Sequence, residues 1–418
     1  MTFTEFLASE WRPALGCTEP ACIAWAAASA AALAGGPIVS VRIDCDPRMY
    51  KNCYAVGIPN SGRRSGIRWA GALGALAPDP AAGLEIFRQV TPERLAEAER
   101  LVARGAVLAE VDPGRRGLFV DVAVRRTGGE GRAIVEGSHT RLVRLERNGV
   151  AQPLPAASAG DEARPDIRGE LAALDFAALE ALARTLGDDD RARLRHGTAL
   201  NRAIAEHGQT LLPPAFHRRS AEDAVSRAAR LVAGGVFARM SGEDFTVMAL
   251  AGSGNKGITV ALPIAVIGED LGAPAERREE ALALACLVTS SVTHRLGALS
   301  AVCGCSNAAG IGLATGLVHL EAGGAAAISA AVTNMVGNVS GMICDGAKIG
   351  CALKSMTGVD AAWRAASLAL SGVGIPATDG IVGADGPASL ANLGRIATSG
   401  MRAVDAEILS IMRDKLNS

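Results

Sequence analysis

Aromatic side chains and net charge are both scarce in this sequence of 418 residues. Phe, Trp and Tyr make up 3% of the chain, and 42 basic residues offset 43 acidic ones, so the net charge is 42 − 43 = −1. Without a basic surplus there is no electrostatic case for nucleic-acid binding. A core with so few rings must consist of small aliphatic side chains, and the 49 glycines favour close contacts between helices.

Apolar runs long enough to cross a membrane are also lacking. The longest candidates are residues 23–34, residues 258–267, which a proline interrupts, and residues 308–335, which a histidine and a glutamate interrupt. A spanning helix needs about 20 apolar residues, so we expect 308–335 to be a buried helix pair. The first residues have no basic stretch before an apolar core, unlike a signal peptide. We therefore expect a cytoplasmic protein without membrane contacts.

Cysteine occurs in an odd number, nine. With no secretion pattern in a chain of this size, a disulfide framework is not expected. The cysteines form two groups, separated by the cysteine-free stretch between Cys53 and Cys286. This clustering is the first indication of a functional site.

Hydrophobic periodicity predicts an α+β fold, in which a mixed α/β block precedes a largely helical, Gly/Ala-rich domain. Alternating apolar and polar residues predict strands at 39–44, 118–124, 133–135 and 141–145. Helical spacing interrupts these strands near 68–77 and 92–104. Beyond residue 246 strand alternation is nearly absent, and the exception, 258–262, is expected to be extended.

Four segments are predicted along the chain. Residues 1–36 form N-terminal helices that pack on the C-terminal domain, and residues 37–160 form the mixed α/β domain. Residues 161–245 form charged, solvated helices, and residues 246–418 form a helical catalytic domain. The Pro-, Ala- and Gly-rich stretch 150–166 is typical of a linker. In the first segment, Thr18 is expected to cap a helix that begins near Pro20.

The densest group of cysteines comprises Cys303, Cys305, Cys344 and Cys351. Cys344 and Cys351 are seven residues apart, and we expect Asp345 and the following glycine to break any helix there, so that both sulfurs turn towards one point. Three or four thiolates in a Gly-rich setting suit an iron–sulfur cluster or zinc. Since free cysteines are often simply buried, inert core thiols are the alternative.

The stretch Gly252–Gly257 matches the pattern G-x-G-x-x-G. A dinucleotide site would need a strand before it and a helix after it, and the residues that follow are predicted to be extended. We therefore do not expect nucleotide binding. A Gly-rich turn with free backbone N–H groups and Asn255 is better suited to a small carboxylate, and a plain tight turn is the alternative.

Three other places carry reactive or polar groups. Cys17 and Glu19 stand at a helix start, where the helix N-terminus lowers a thiol pKa, so that Cys17 could be a thiolate near neutral pH; a buried thiol beside a capped helix is the alternative. Lys51 and Asn52 follow a strand and could hold a carboxylate, or form a solvated turn. His139 lies between two strands, in a catalytic or a structural role.

Taken in order and spacing, these motifs resemble the L-cysteine desulfidase family, whose catalytic half is similar to the α region of iron–sulfur L-serine dehydratases. The resemblance covers nearly the whole chain. It rests on P-A-L-G-C-T-E-P (13–20), M-Y-K-N (49–52), S-H-T (138–140), G-S-G-N-K-G-I (252–258), L-S-A-V-C (299–303), G-M-I-C-D-G-A (341–347) and Cys351.

The resemblance implies a [4Fe–4S] cluster held by Cys303, Cys344 and Cys351, with one iron lacking a cysteine ligand. Cys303 matches the frame L-S-A-x-C, and Cys305 is an additional thiol that departs from the pattern. The implied activity is removal of sulfide from L-cysteine by α,β-elimination, giving pyruvate, ammonia and hydrogen sulfide. Dehydration of L-serine by the same chemistry is the alternative, and a non-enzymatic metal or redox-sensing protein is a more distant one.

Roles for the remaining residues follow from the implied chemistry. Cys17 is expected to transfer a proton or to be a resting ligand to the open iron, and Glu19 or His139 to hold the ammonium group or orient its neighbours. A small amino acid is the expected substrate, and a homodimer is a further expectation. The expected contacts to the substrate carboxylate come from Lys51, Asn52, Ser253, Gly254 and Asn255.

Overall fold

The computed structural model describes residues 1–77, 79–115, 117–155, 166–213, 216, 223–297 and 299–417. The α+β prediction is confirmed, since a mixed sheet in the N-terminal part precedes a largely helical C-terminal part. Most of the predicted linker, residues 156–165, lies outside the described residues. None of the described helices combines the length and apolarity needed to cross a membrane.

The described strands and helices are numbered in chain order. The strands are β1 (Trp11–Leu15), β2 (Ile38–Cys45), β3 (Val107–Val111), β4 (Phe119–Arg126), β5 (Gly129–Glu136), β6 (Leu142–Arg147), β7 (Val150–Ala151) and β8 (Thr246–Leu250). The helices of the first half are α1 (Phe3–Glu10), α2 (Thr18–Ala31), α3 (Pro47–Cys53), α4 (Ile67–Ala75), α5 (Pro92–Ala103), α6 (Ile167–Ala173), α7 (Phe176–Ala183) and α8 (Asp188–Leu211). Those of the second half are α9 (Ala224–Ser241), α10 (Gly254–Asp270), α11 (Ala275–Leu296), α12 (Ala308–Leu320), α13 (Ala325–Val339), α14 (Cys351–Leu370), α15 (Gly386–Arg395) and α16 (Arg402–Asn417).

The mixed sheet has the strand order β3-β2-β4-β5-β6-β7, with β2 and β3 parallel and the other pairs antiparallel. Helices α2 and α4 bury their apolar residues against it. The strand predictions at β2, β4, β5 and β6 are confirmed. Strand β3 was not predicted, because it lies at the sheet edge and shows little apolar alternation.

The helical part is built around α11 and α12; residues 281–293 of α11 and all residues of α12 are buried. They cross closely because Gly312 has no side chain: a Cβ there would lie 2.1 Å from Thr289 Oγ1 and 2.4 Å from the carbonyl oxygen of Ala285. The crossing of these two helices is therefore filled by close contacts at small residues and not by aromatic side chains. Residues 308–335 form the helix pair α12 and α13, as predicted.

One part of the N-terminal segment packs in the helical core, and another part packs against the mixed sheet. Phe3, Phe6 and Trp11 pack in the helical core, because β1 pairs antiparallel with β8. Helix α2 instead packs on the mixed sheet, so the prediction that all of 1–36 covers the C-terminal part is wrong. The cause is its Ala-rich surface, which is buried on every face.

Three local predictions are corrected. Thr18 is the first residue of α2 rather than its cap; Cys17 is the N-cap, and no side chain caps the helix. Residues 258–262 are helical, inside α10, because tertiary burial overrides the strand preference of their β-branched side chains. Helix α9, predicted to be solvated, is largely buried, since its alanines and valines pack into the helical core.

Replacing Gly74 with alanine is expected to destabilise the N-terminal part. A Cβ at Gly74 in α4 would lie 2.1 Å from the carbonyl oxygen and 2.4 Å from the Cα of Ala24 in α2. Overpacking of this kind typically costs about 1–3 kcal/mol. Thermal unfolding measures the loss. Gly35→Ala is the control, because its Cβ meets nothing within 4 Å; equal melting temperatures for both variants would contradict the close crossing.

Candidate active site

A small cavity of about 170 Å³ lies where α2, α10 and the cysteine-rich loops meet. It is smaller than the roughly 300–1,000 Å³ typical of sites for drug-sized ligands, which fits a small metabolite. The predicted site residues that line it come from distant parts of the chain. They are Cys17, Glu19, Asn52, His139, Ser253, Asn255, Cys303, Cys344 and Cys351.

The cysteine loops are held together by a short antiparallel bridge between Val302 and Ile343. The Cys303 N–H donates to the carbonyl of Met342 at 2.8 Å, and the Cys344 N–H donates to that of Ala301 at 2.8 Å. Cys344 lies in the loop before α14, which begins at Cys351. The helix break expected at Asp345 is therefore present, with the following glycine at φ +93°.

The thiols lie close enough to perturb one another. Hydrogen bonds from Cys305 and Ser306 lower the pKa of Cys303, although burial opposes this. The same contact with Cys303, together with burial, raises the pKa of Cys305. Burial and the proximity of Cys303 raise the pKa of Cys351 to about 11, and burial raises that of Cys344 while Lys51 opposes it. The ionisation of each of these thiols therefore depends on its neighbours, and the four residues are called the thiol group below.

Three lysines lie next to the loops that carry this thiol group. Lys51 Nζ donates to the Cys344 carbonyl at 2.7 Å, and Lys354 Nζ donates to the Ile343 carbonyl at 2.8 Å. Lys256 lies against the loop of Cys303, where a Cβ on Gly304 would be 3.0 Å from its Cε. Thiols must lose protons to bind metal, and cations favour that loss. The donor set therefore fits a thiolate-held iron–sulfur cluster, although the described side chains include no preformed group of three metal ligands.

Cys17 is not a thiolate, contrary to the prediction. Burial, and next the negative charge of Glu19, raise the pKa of its thiol well above the usual value. The Cys17 Sγ–H donates to Glu19 Oε2 at 2.9 Å. The helix N-terminus is present, as Cys17 is the N-cap of α2, but burial outweighs it.

Glu19 is buried and held in its ionised form. Burial opposes ionisation, but interaction with His139 and the hydrogen bond from Cys17 outweigh it and lower the pKa of this carboxyl. Asn52 Nδ2 donates to Glu19 Oε1 at 3.0 Å. This bond fixes the orientation of the amide. The buried oxygen Asn52 Oδ1, for which the described part of the chain supplies no hydrogen-bond partner, is therefore the atom available to a ligand.

His139 brings an available nitrogen to the cavity. Its Nε2 is buried and has no hydrogen-bond partner among the described residues. Burial lowers the pKa of this imidazole, and the cations Arg168 and Lys256 act in the same direction while Glu19 opposes them. The ring is therefore neutral near pH 7 and can accept a proton.

The Gly252–Gly257 stretch follows β8 and opens α10, so the prediction that extended residues follow it is wrong. However, β8 belongs to a two-stranded antiparallel sheet with β1, which is not the parallel unit of a dinucleotide fold. Two glycines of the 252–257 stretch are needed for close packing of α10. A Cβ would lie 1.9 Å from the Met248 carbonyl at Gly257, and 2.5 Å from Arg239 Nε at Gly254.

The residues predicted to contact the substrate carboxylate do not all line the cavity. Ser253 lines the cavity beside the first N–H groups of α10, which lack intrahelical partners. Asn255 also lines it, but its Oδ1 accepts from Arg239 Nη1 at 2.9 Å. Gly254 and Lys51 are not among the lining residues. Lys51 lies behind Cys344, where its ammonium is engaged by Asp405 at 2.6 Å.

Three cationic side chains of the cavity were missed from the sequence: Arg168, Arg239 and Lys256. Arg168 Nε donates to Glu10 Oε2 at 2.7 Å, and one terminal nitrogen lies near Gly252. Arg239 is buried and donates to the Gly16 carbonyl at 2.7 Å. Burial and Arg168 lower the pKa of Lys256 to about 8. Two of them stood in segments predicted as solvated helix, so only Lys256, beside Asn255, could have been found.

Residues 81–410 match the serine dehydratase alpha chain family. The cavity, its thiols and this match together define a lyase-type enzyme of the dehydratase kind. The chain belongs to the serine dehydratase alpha chain family, which confirms the predicted relation to the α region of serine dehydratases.

Relatives of similar length match almost from end to end. The chain is 36% identical to a UPF0597 protein of Desulfatibacillum aliphaticivorans, with 99% of each chain covered. It is 37% identical to one of Geobacter sulfurreducens and 34% identical to one of Clostridium tetani, covering 99% of this chain and 98% of each relative. The designation UPF0597 states no substrate.

Proposed function

We propose that this protein removes sulfide from L-cysteine by α,β-elimination, with a [4Fe–4S] cluster held by Cys303, Cys344 and Cys351. One observation carries the proposal. The same small cavity contains those thiols, the unpartnered nitrogen of His139 and the ionised carboxylate of Glu19. When bound through three cysteines, such a cluster supplies an iron that acts as a Lewis acid towards the β-heteroatom of the substrate.

The polar groups of the cavity match the two charges of a free amino acid. The first N–H groups of α10, the Ser253 hydroxyl and the outer nitrogens of Arg168 suit the carboxylate. Asn52 Oδ1 and the neighbouring carboxylate of Glu19 suit the ammonium group. Asn52 is therefore reassigned from the carboxylate to the ammonium end, because its donor nitrogen is already bonded to Glu19.

The protein's own groups account for the proton transfers. Neutral His139 takes the α-proton through Nε2, the electron pair forms the Cα–Cβ double bond, and the C–S bond breaks with release of hydrosulfide. The Cys17 thiol, kept protonated by burial and Glu19, donates a proton to Cβ of the resulting 2-aminoacrylate. The protonated His139 ring gives the α-proton to the hydrosulfide, and the Cys17 thiolate regains a proton from the substrate nitrogen as the enamine becomes the imine. Hydrolysis of the imine then completes the balance, in which L-cysteine and water give pyruvate, ammonia and hydrogen sulfide.

L-Serine is the second candidate substrate, and the family match favours it. Elimination of water instead of sulfide uses the same groups. None of the contacts among the described residues distinguishes a β-thiol from a β-hydroxyl, so the choice of L-cysteine rests on the motifs along the sequence.

Anaerobic reconstitution with iron and sulfide, removal of unbound sulfide, and separate addition of L-cysteine and L-serine test the proposal. We expect equal amounts of sulfide and pyruvate from L-cysteine, and little pyruvate from L-serine. Pyruvate from L-serine alone would change the substrate and keep the mechanism. Neither product from protein with a full iron content would contradict the lyase function.

Arg168→Gln is expected to raise KM for L-cysteine and leave the iron content unchanged. A hydrogen bond to a charged group is worth about 1.5–3 kcal/mol, so the expected increase is about 10- to 100-fold. Steady-state kinetics of protein with a full iron content measure this KM. Arg100→Met, at an exposed arginine on α5, is the control, and an unchanged KM in Arg168→Gln would remove Arg168 from the substrate site.

A further inference from the structure

Two cations of α3 reach the loops that carry the proposed cluster ligands. Arg48 Nη1 donates to the carbonyl of Leu299, which precedes Cys303, and Lys51 Nζ donates to the Cys344 carbonyl at 2.7 Å. The helix itself is fixed, because Asp46 caps it and also accepts from the Phe119 N–H of β4 at 2.8 Å. Helix α3 thus holds both cysteine loops from the sheet side.

A carboxylate from the far end of the chain joins these two cations. Asp405 of α16 contacts Lys51 Nζ through Oδ1 at 2.6 Å and Arg48 Nε through Oδ2 at 2.9 Å. The side chains of Lys51 and Asp405 are only 1% and 11% exposed. An unpaired buried charge is strongly unfavourable, so Asp405 is what allows Lys51 to remain against the Cys344 carbonyl.

Helix α16 packs on α3. Its buried residues Ile408, Leu409 and Met412 pack against Tyr50 and Tyr54. The Tyr54 hydroxyl also donates to the Met412 carbonyl at 3.2 Å. These contacts set the position of Asp405, one turn before Ile408.

The loop between Cys344 and Cys351 is pressed against the same helix. A Cβ on Gly346 would lie 2.3 Å from the carbonyl oxygen of Lys51. Together with the bridge between Val302 and Ile343, this contact leaves the two cysteine loops little room to move apart. Loops, α3 and α16 therefore form one packed unit.

We infer that Asp405 is a positioning residue for the cluster, and that the C-terminal helix acts through Arg48 and Lys51 to set the separation of the Cys303 and Cys344 loops. The inference rests on the proposed cluster site and goes beyond it, because it makes cluster retention depend on a helix that supplies no ligand. Asp405 does not line the cavity, so its effect on catalysis is indirect.

Asp405→Asn tests the inference with minimal change of shape. After anaerobic reconstitution, we expect the variant to lose iron to a chelator about tenfold faster than the native protein, since removing outer partners of metal ligands typically costs about 10- to 100-fold in affinity. Asp405→Glu should restore part of the retention. Glu407→Gln is the matched control, because Glu407 is an exposed carboxylate on the same helix.

Hydrogen–deuterium exchange in the metal-free protein gives a readout that does not depend on the cluster. Amides of 342–346 are expected to exchange faster in Asp405→Asn and at the native rate in Glu407→Gln. The double variant Lys51→Met/Asp405→Leu, which leaves neither member of that pair charged, should still lose iron quickly. Native retention and native exchange in Asp405→Asn would overturn the inference. Native protein that binds no iron would instead contradict the proposed function, and exchange would still decide the role of Asp405.

Discussion

Cys344→Ser is expected to prevent stable cluster assembly and to abolish lyase activity. Cys344 is fixed in the loop that pairs with the Cys303 loop, through its N–H bond to the Ala301 carbonyl. A serine hydroxyl keeps the size of the side chain but is a far poorer ligand for iron, which prefers thiolate in such clusters. Iron and sulfide analysis after anaerobic reconstitution, with the visible absorption spectrum, measures the effect.

Other cysteines supply matched controls for that experiment. Cys286 is buried in α11 and does not line the cavity, so Cys286→Ser should keep full iron content. Cys305→Ser should also keep iron, because Cys303 matches the ligand frame. If Cys305→Ser lost iron and Cys303→Ser kept it, the first ligand would be Cys305. Full iron content in Cys344→Ser would remove Cys344 from the ligand set.

His139→Gln is expected to lower kcat with little change in iron content. A positioned general base typically contributes about 10²- to 10⁴-fold to the rate, and the glutamine amide cannot accept the α-proton. Single-turnover formation of pyruvate by reconstituted protein measures the loss. His196→Gln is the control, since His196 lies on α8, exposed and away from the cavity. Native turnover in His139→Gln would assign the base elsewhere.

The pH dependence follows from the same imidazole. Burial lowers the pKa of His139 below the usual value of about 6.5. The neutral, proton-accepting form therefore predominates at pH 7, and the rate should fall only as the pH drops below about 6.5. The acid limb of kcat/KM should disappear in His139→Gln. An acid limb that persists unchanged in this variant would assign that titration to another group.

The α+β class and the strands β2, β4, β5 and β6 were predictable because they depend on local periodicity. Helix α10 was not, because Ile258 and its β-branched neighbours prefer strands and only burial on all sides makes them helical. Strand β1 was missed for a related reason: it consists of five residues with a proline and exists through its pairing with β8. Non-local pairing of this kind leaves no periodic signal.

The residues of the candidate site likewise divide into those that the sequence predicts and those that depend on tertiary contacts. Residue type and clustering singled out the group of four cysteines, and the family resemblance selected Cys303, Cys344 and Cys351 from it; the structure brings these three to one cavity with Cys17 and His139. The ionisation of Cys17 was mispredicted, because the carboxylate of Glu19 and full burial are tertiary effects. Arg239 and Asp405 carry no motif at all, since their roles arise from distant contacts with Gly16 and Lys51.

Mössbauer spectroscopy of protein reconstituted with ⁵⁷Fe, recorded before and after L-cysteine is added, tests the central claim most directly. If three cysteines hold the cluster in the substrate cavity, one iron site differs from the others and its isomer shift and quadrupole splitting change with L-cysteine. The other sites should change little. A spectrum of equivalent iron sites that L-cysteine leaves unaltered would contradict a shared cavity for cluster and substrate.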